Sequence, residues 1–132
     1  MIKDRVYIVT GAGSGLGAAV ARSLVAAGAS VVVAAIAREA GAGVAAELGA
    51  QARFAATDVT SEADGQAAVQ AALDAFGHLH GLVNCAGIAP GEKVVGRDGP
   101  HRLDSFARAV SVNLIGTFNM IRLAAAAIAQ EA

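Results

Sequence analysis

Hydrophobic positions fall alternately into short continuous runs and into sets spaced like one face of a helix. Arg5–Thr10 and Ser30–Ile36 are short, apolar and rich in β-branched residues, which predicts two buried strands. Between them, Gly15–Ala27 repeats apolar residues at helical spacing, and Gly28 follows where a helix commonly ends. Arg38–Leu48 predicts a second helix, which Gly49 stops.

The same alternation continues through the middle of the chain. Arg53–Ala56 predicts a third, weaker strand, and Leu79–Asn84 predicts a fourth. Between these strands, Ser61 opens a sequence that resembles a capping box, and the helix that follows should end at Gly77. Gly87–Arg102 is rich in glycine, proline and charge, so it predicts a loop.

A long last helix is predicted after this loop, with Asp104 or Ser105 as its N-cap and its end near Gln130. It is apolar on most of its faces, so it must be covered on most of them. One side carries Phe106, Val110, Leu114, Phe118 and Ile121, and another carries Val112, Ile115, Leu123 and Ala127.

Strands that alternate with helices of this length are typical of βαβ units. We therefore expect an α/β fold with a doubly wound parallel sheet, helices on both faces and right-handed crossovers. Nothing marks a second domain, so residues 1–132 are expected to form one domain.

Composition narrows the classes of function. The 132 residues are 55% hydrophobic and 16% charged, with a net charge of −1 and no basic run, which argues against a nucleic-acid partner. Cys85 is the single cysteine, which suits a reducing compartment, and the N-terminus lacks the apolar core of a signal peptide. The apolar stretches are interrupted by polar residues, so we expect no membrane span and a cytoplasmic protein.

The most informative segment is the glycine-rich turn Thr10–Gly17, between the first strand and the first helix. Phosphates bind at helix N-termini because free N–H groups and the helix dipole point at the anion, and glycines let the backbone approach a pyrophosphate closely. Ser14 adds a hydroxyl donor. The alternative is a tight strand-to-helix turn that binds nothing, but the turn's position favours a nucleotide.

The spacing of Gly11, Gly15 and Gly17 after Thr10 resembles the T-G-x-x-x-G-x-G motif of the short-chain dehydrogenase/reductase family. Three further segments resemble that family in order and spacing: Asp58-Val59, Asn84-Cys85-Ala86-Gly87, and Asn113 within Val112-Asn113-Leu114. Within the family, these segments and the extended loop before Leu103 look most like the type II 3-hydroxyacyl-CoA dehydrogenases, matched over their N-terminal half only.

The resemblance implies a Rossmann-like fold that binds NAD, with the C-terminal part of the fold lying beyond this sequence. It implies that Ser14 and Leu16 contact the pyrophosphate or the adjacent ribose, and that Asp58 and Val59 bind adenine. Asp58 has a second interpretation as the first residue of a turn that caps the next helix. The implied cofactor-binding set is Gly11, Ser14, Gly15, Leu16, Gly17, Asp58, Val59, Asn84, Cys85, Ala86 and Gly87.

For Cys85 we expect proximity to the cofactor without thiol chemistry. The resemblance also implies that Asn113 is catalytic and orders a water in a proton relay to a lysine. The alternative for Asn113 is a side chain that bonds back to its own helix. His78 and His80 lie on one face of a strand, but no Cys, Asp or Glu joins them at metal-ligand spacing, so we expect a surface or strand-end role and no metal site. In many relatives the second position is aspartate, so His80 is a departure.

The largest departure lies at Ala35, where the family places the acid that binds the adenine ribose. Losing such a charged contact typically costs about 1.5–3 kcal/mol, or roughly ten- to a hundredfold in affinity. Arg38 lies nearby and could pair with a 2′-phosphate, which would favour NADP. Overall similarity favours NAD with weakened ribose selection.

The family's catalytic serine and Tyr-x-x-x-Lys are absent up to Ala132, where Tyr7 is the only tyrosine, so they should lie further on and the chain alone should not turn over. The resemblance implies hydride transfer between NAD and a secondary alcohol or ketone, with a 3-hydroxyacyl-CoA as the expected substrate. The alternatives are an NADP-dependent 3-oxoacyl-carrier-protein reductase, another alcohol dehydrogenase, and a non-catalytic dinucleotide-binding fragment. The family also implies a homo-oligomer, a dimer or tetramer, formed through the last helix.

Overall fold

A computed structural model describes residues 1–131 of the chain. Its main sheet has four parallel strands in the order β3-β2-β1-β4, so the first strand lies inside the sheet and the third and fourth lie at its edges. The strands are β1 Val6–Thr10, β2 Ser30–Ala35, β3 Ala52–Ala56 and β4 Gly81–Asn84. This confirms the predicted parallel sheet, with boundaries within two residues of those expected.

Helices cover both faces of the sheet, because successive residues of a strand point to opposite sides. Ile8 of β1 belongs to a core cluster with residues of the third and fifth helices, whereas Val9 belongs to a cluster with residues of the first two. The helices are α1 Gly15–Ala26, α2 Arg38–Leu48, α3 Glu62–Phe76, α4 Leu103–Val110 and α5 Thr117–Ile128. The doubly wound α/β fold is therefore confirmed.

The loop after β4 contains a small antiparallel hairpin that the sequence did not predict, formed by β5 Val95–Gly96 and β6 Gly99–Pro100. The carboxylate of Glu92 closes this loop, because it accepts the backbone N–H of Arg102 at 2.8 Å and pairs with its guanidinium at 3.2 Å. These bonds lower the pKa of Glu92 to about 2.

The expected N-cap at Asp104 or Ser105 is wrong, because α4 begins one residue after Arg102, which occupies the cap position. Arg102 makes no side-chain capping bond and is held from outside the helix by Glu92. Tertiary contact therefore places the start of the helix where the local capping signal does not.

The last helix is one continuous helical run, Leu103–Glu131, in which the π-helical segment Ser111–Gly116 joins α4 to α5. This helix has 29 residues, and its mean hydropathy is 1.5 over its most apolar window. By length and composition alone it could cross a membrane, so the expectation that no segment is long and apolar enough is wrong. Its inner side packs Met120 and Ala124 into the core, while Phe118 and Leu114 on other sides stay exposed.

Candidate functional site

A cleft of about 660 Å³ opens at the carboxyl ends of the parallel strands, where loops from β1, β3 and β4 meet the start of the last helix. Ligands of open α/β sheets bind at this edge of the sheet. The cleft is lined by Gly11, Ser14, Gly15, Leu16, Gly17, Ile36, Thr57, Asp58, Val59, Thr60, Cys85, Ala86, Gly87, Ile88, Ala107, Arg108, Ser111 and Val112.

The glycine turn forms the floor of this cleft, and two of its glycines are required by geometry. Gly11 has φ +62°, and a Cβ there would lie 2.8 Å from the backbone of Ala86. A Cβ on Gly17 would lie 2.2 Å from the carbonyl oxygen of Gly11. The backbone therefore leaves no room for a side chain at Gly11 or at Gly17.

The end of α1 that follows this turn fits an anion. Ser14 is the N-cap in extended conformation, and its hydroxyl makes no capping bond, so it is free to donate to a ligand. The first turn of α1 holds no acidic residue, and a Cβ added to Gly15 would meet nothing within 4 Å. Free N–H groups, a helix dipole and a hydroxyl donor suit a pyrophosphate.

Thr10 joins the two strands beneath the cleft. Its side chain is fully buried, and its Oγ1 accepts the backbone N–H of Cys85 at 3.1 Å and that of Ala86 at 3.2 Å. Cys85, Ala86 and Gly87 thereby line the cleft beside the glycine turn, whereas Asn84 does not, and its buried Oδ1 has no hydrogen-bond partner within residues 1–131. The assignment of Asn84 to the cofactor stays a prediction.

Asp58 has the turn role that the sequence left open. Its Oδ1 accepts both the N–H and the hydroxyl of Thr60, at 2.9 and 2.7 Å, and these bonds lower the pKa of Asp58. Ser61 caps α3 as predicted by accepting the N–H of Asp64 at 3.1 Å. The carboxylate of Asp64 accepts the N–H of Asp58 and so ties the cap to this turn. Asp58 and Val59 also line the cleft, and their contact with adenine stays a prediction.

Val59 is held in place by the last helix. The amide of Asn119, which is buried, donates to the carbonyl oxygen of Val59 at 2.8 Å, and Gly116 leaves room for the Val59 side chain. Sequence reasoning missed Asn119 in this role. The available signal was a polar residue between Phe118 and Met120 in an apolar helix, since buried polar groups need partners.

Asn113 lies in the π-helical segment, and its side chain bonds to the loop after β4. Its Oδ1 accepts the N–H of Ile88 at 2.8 Å, and its Nδ2 donates to the carbonyl of Ile88 at 2.7 Å. The alternative of a side chain that bonds back to its own helix is therefore wrong. Each polar atom of the Asn113 side chain makes one hydrogen bond to Ile88, so Asn113 helps to fix this wall of the cleft. The assignment of Asn113 as a catalytic residue that orders a water stays a prediction.

Ala35 offers no polar group to the cleft. It is 3% exposed and packs beside Gly13 and Gly41, close to where an added Cβ on either glycine would lie. The neighbouring Ile36 is 66% exposed and lines the cleft with an apolar surface instead. Arg38 is exposed at the first position of α2 and is not among the lining residues.

The histidine pair has an acidic neighbour after all. His78 Nδ1 lies 2.9 Å from Glu131 Oε2 and His80 Nε2 lies 3.6 Å from it, so the expectation that no acid joins them is wrong. The last helical turn, Ala129–Glu131, brings this distant acid back to the start of β4. One ligand atom of each residue lies within 4.8 Å of the others.

The hydrogen bonds of His80 favour a strand-end anchor over a metal ligand. Its Nδ1 accepts the backbone N–H of Val6 at 2.9 Å, so the proton of the neutral ring lies on Nε2, the atom that faces Glu131. A protonated nitrogen does not coordinate a metal. His80 thus supplies an acceptor at the start of β1, which an aspartate could also supply, and the expected strand-end role is confirmed.

Comparison with known proteins agrees with this geometry. Residues 5–132 match the family model described as short chain dehydrogenase. The chain is 48% identical over 127 residues, which are 95% of its length and 50% of the relative's, to a 3-hydroxyacyl-CoA dehydrogenase type-2 of Drosophila melanogaster.

Two solved structures share the fold. One is a short-chain type dehydrogenase/reductase from Mycobacterium ulcerans, with a TM-score of 0.86 and 36% identity over 98% of this chain and 48% of that one. The other is a 3-ketoacyl-(acyl-carrier-protein) reductase from Brucella melitensis complexed with NADH, with a TM-score of 0.82 and 35% identity over 92% of this chain and 49% of that one. The chain spans about half the length of the curated relatives it matches. The glycine turn, the fold and the match across residues 5–132 together show that the chain belongs to the short-chain dehydrogenase family.

Proposed function

We propose that the protein carrying this chain transfers a hydride between NAD and a secondary alcohol or ketone, and that its substrate is a 3-hydroxyacyl-CoA. The observation that carries the proposal is the cleft over the glycine turn, with a free Ser14 hydroxyl and an uncapped helix N-terminus at its floor. The names of the relatives, 3-hydroxyacyl-CoA dehydrogenase type-2, support this substrate class. The bound nicotinamide would supply the hydride chemistry, while this chain binds and orients the cofactor.

In this proposal the pyrophosphate lies against Ser14, Leu16 and the glycines of the turn, where backbone N–H groups stabilise its charge. Adenine lies toward Asp58 and Val59, with the exposed side chain of Ile36 as an apolar neighbour in the same cleft. Asn113 keeps the loop after β4 in position through Ile88, so it acts on the cofactor site indirectly. Cys85 contributes packing, since it is half-buried.

We propose NAD as the cofactor, with weak discrimination against NADP. Ala35 is buried and apolar, so it neither accepts from a ribose 2′-hydroxyl nor repels a 2′-phosphate. Substituting Ala35→Asp should raise affinity for NADH by roughly tenfold and lower affinity for NADPH, since an ionised hydrogen bond contributes about 1.5–3 kcal/mol. Side-by-side fluorescence titrations of NADH and NADPH measure this, and a clear preference of the unsubstituted protein for NADPH would overturn the choice of NAD.

The test of the reaction uses the native full-length protein. NADH formation should follow the addition of NAD and a 3-hydroxyacyl-CoA, and should be at least tenfold slower with the same acid lacking the CoA moiety. The second candidate, an NADP-dependent reductase of 3-oxoacyl-carrier-protein, is favoured by the Brucella melitensis neighbour and by the missing acid at Ala35. Faster turnover of that substrate with NADPH would replace the first proposal. Cofactor binding without turnover of either would leave a non-catalytic dinucleotide-binding protein.

We further propose a homo-oligomer formed through the last helix, in a cytoplasmic protein. Six large apolar side chains of this helix are between 47% and 80% exposed, namely Leu103, Phe106, Leu114, Ile115, Phe118 and Ile121. Exposed large apolar side chains concentrated on one helix are typical of protein–protein contacts. Phe118→Glu should lower the mass in sedimentation experiments toward the monomer, and an unchanged mass would count against this surface.

A further inference from the structure

The cleft has a single cationic side chain on its wall. Among the lining residues of the described chain, Arg108 is the only lysine, arginine or histidine, and Asp58 is the only carboxylate. Arg108 lies on α4, so the positive charge on the wall of the cleft comes from the last helix. No residue of the turn Thr10–Gly17 carries a formal charge.

Arg108 differs from the paired arginines of this fold. Arg22, Arg102 and Arg122 each form an ion pair, with nitrogen–oxygen distances between 2.6 and 3.2 Å. Within residues 1–131, Arg108 has no carboxylate oxygen within 4.0 Å. Its five N–H donors are therefore available to a ligand.

Asp58 does not take up the charge of Arg108. The Oδ1 of Asp58 is committed to Thr60, and those bonds are the main reason that its pKa is low, with Arg108 adding a smaller effect through its charge. The positive charge of Arg108 therefore acts on the carboxylate of Asp58, although no ion pair joins the two side chains.

A dinucleotide brings a negative charge on each phosphate into this cleft. The glycine turn offers N–H groups and a partial positive charge but no full one, so an arginine that lines the same cleft completes the electrostatic match. We propose that Arg108 binds a phosphate group of the dinucleotide. This inference rests on the proposed cofactor binding. The phosphate has two possible sources, the pyrophosphate of either cofactor and the 2′-phosphate of NADP.

The experiment measures binding directly, by fluorescence titration of NADH and of NADPH to the native full-length protein. Arg108→Gln removes the charge and keeps a polar side chain, and Arg108→Lys restores the charge. Arg5→Gln is the matched control. Arg5 is an exposed arginine just before the first residue of β1, whereas the cleft lies at the carboxyl ends of the strands.

Arg108→Gln should weaken binding about tenfold, with partial recovery in Arg108→Lys and no change in Arg5→Gln. Equal loss for both cofactors identifies the pyrophosphate, and loss for NADPH alone identifies the 2′-phosphate. Unchanged affinities for both cofactors in Arg108→Gln, or loss in Arg5→Gln as large as that in Arg108→Gln, would overturn the proposal. If the unsubstituted protein binds neither cofactor, the proposed function itself fails, which is a distinguishable result.

Discussion

Replacing Gly17 by alanine should have two opposing effects on stability, one from helix propensity and one from the close contact with Gly11. Gly17 lies in the first turn of α1, and helix propensity alone favours alanine there by about 1 kcal/mol. The fold opposes this, because the new Cβ would lie 2.2 Å from the carbonyl oxygen of Gly11 and 2.6 Å from its carbonyl carbon. Both obstacles are backbone atoms, so neither can rotate away.

Overpacking of this kind costs about 1–3 kcal/mol and can exceed that against backbone. Because both obstacles are backbone atoms, the cost should lie near the upper end of that range, at about 2–3 kcal/mol. After the gain of about 1 kcal/mol in helix propensity, Gly17→Ala should lower the free energy of unfolding by about 1–2 kcal/mol. Urea unfolding followed by circular dichroism measures this. With a urea dependence of about 2 kcal/mol per M, the midpoint should fall by roughly 0.5–1 M. Affinity for NADH should fall as well, because the turn must open to relieve the contact.

Gly43→Ala is the matched control, because Gly43 lies in α2, which packs on the same face of the sheet as α1. Gly43 lies inside α2, where an added Cβ meets nothing within 4 Å. Alanine there should raise the free energy of unfolding by about 0.5–1 kcal/mol and leave cofactor affinity unchanged. The reasoning is refuted if Gly17→Ala is as stable as the unsubstituted protein, since the strand–helix approach would then be looser than described.

Three further changes test other contacts. Thr10→Val keeps the shape of the side chain but leaves two backbone N–H groups without their acceptor, so it should cost about 1–3 kcal/mol in urea unfolding, and a loss below 0.5 kcal/mol would contradict that role. His80→Asp should retain stability, because a carboxylate can accept the N–H of Val6, whereas His80→Leu should lose about 1 kcal/mol; equal losses would argue against the anchor. The folded pKa of Glu92 is depressed to about 2, so its stabilising effect on the loop is present above its ordinary pKa near 4.5 and is lost as pH falls toward 2. Arg102→Gln removes the guanidinium but keeps the backbone N–H, which is the larger cause, so the pKa of Glu92 should rise only part of the way toward 4.5 in an NMR titration. An unchanged pKa would show that the guanidinium contributes nothing.

The sequence predicts the main sheet and its helices because the spacing of apolar residues and the glycines at helix ends are determined by neighbouring positions in the chain. Arg38–Leu48 is a helix with both predicted ends, since apolar spacing and Gly49 fix them without distant contacts. The beginning of α4 was misjudged because Glu92, ten residues earlier, decides it through the N–H of Arg102. Periodicity carries no information about such a partner.

The candidate site shows the same division. The glycine turn and the Asp58 loop were predictable, because their residue types are constrained by backbone geometry at neighbouring positions. The partners of Asn113 and His80 were not, because Ile88 and Glu131 lie 25 and 51 positions away along the chain and only the folded sheet brings them close. The sequence likewise gives no sign that Arg108 faces a cleft.

The position of β1 between β2 and β4 has a consequence for how the chain acquires its fold. β1 pairs with β2 through Val6 and Ser30, which are 24 positions apart along the chain. Its other edge must wait for β4, and the bond from Cys85 to Thr10 closes a loop of 75 residues. Closing long loops is the slower, entropically costlier event in folding. During synthesis on the ribosome, the glycine turn therefore emerges and can pack early, while the cleft above it gains its second wall only after β4 has been made.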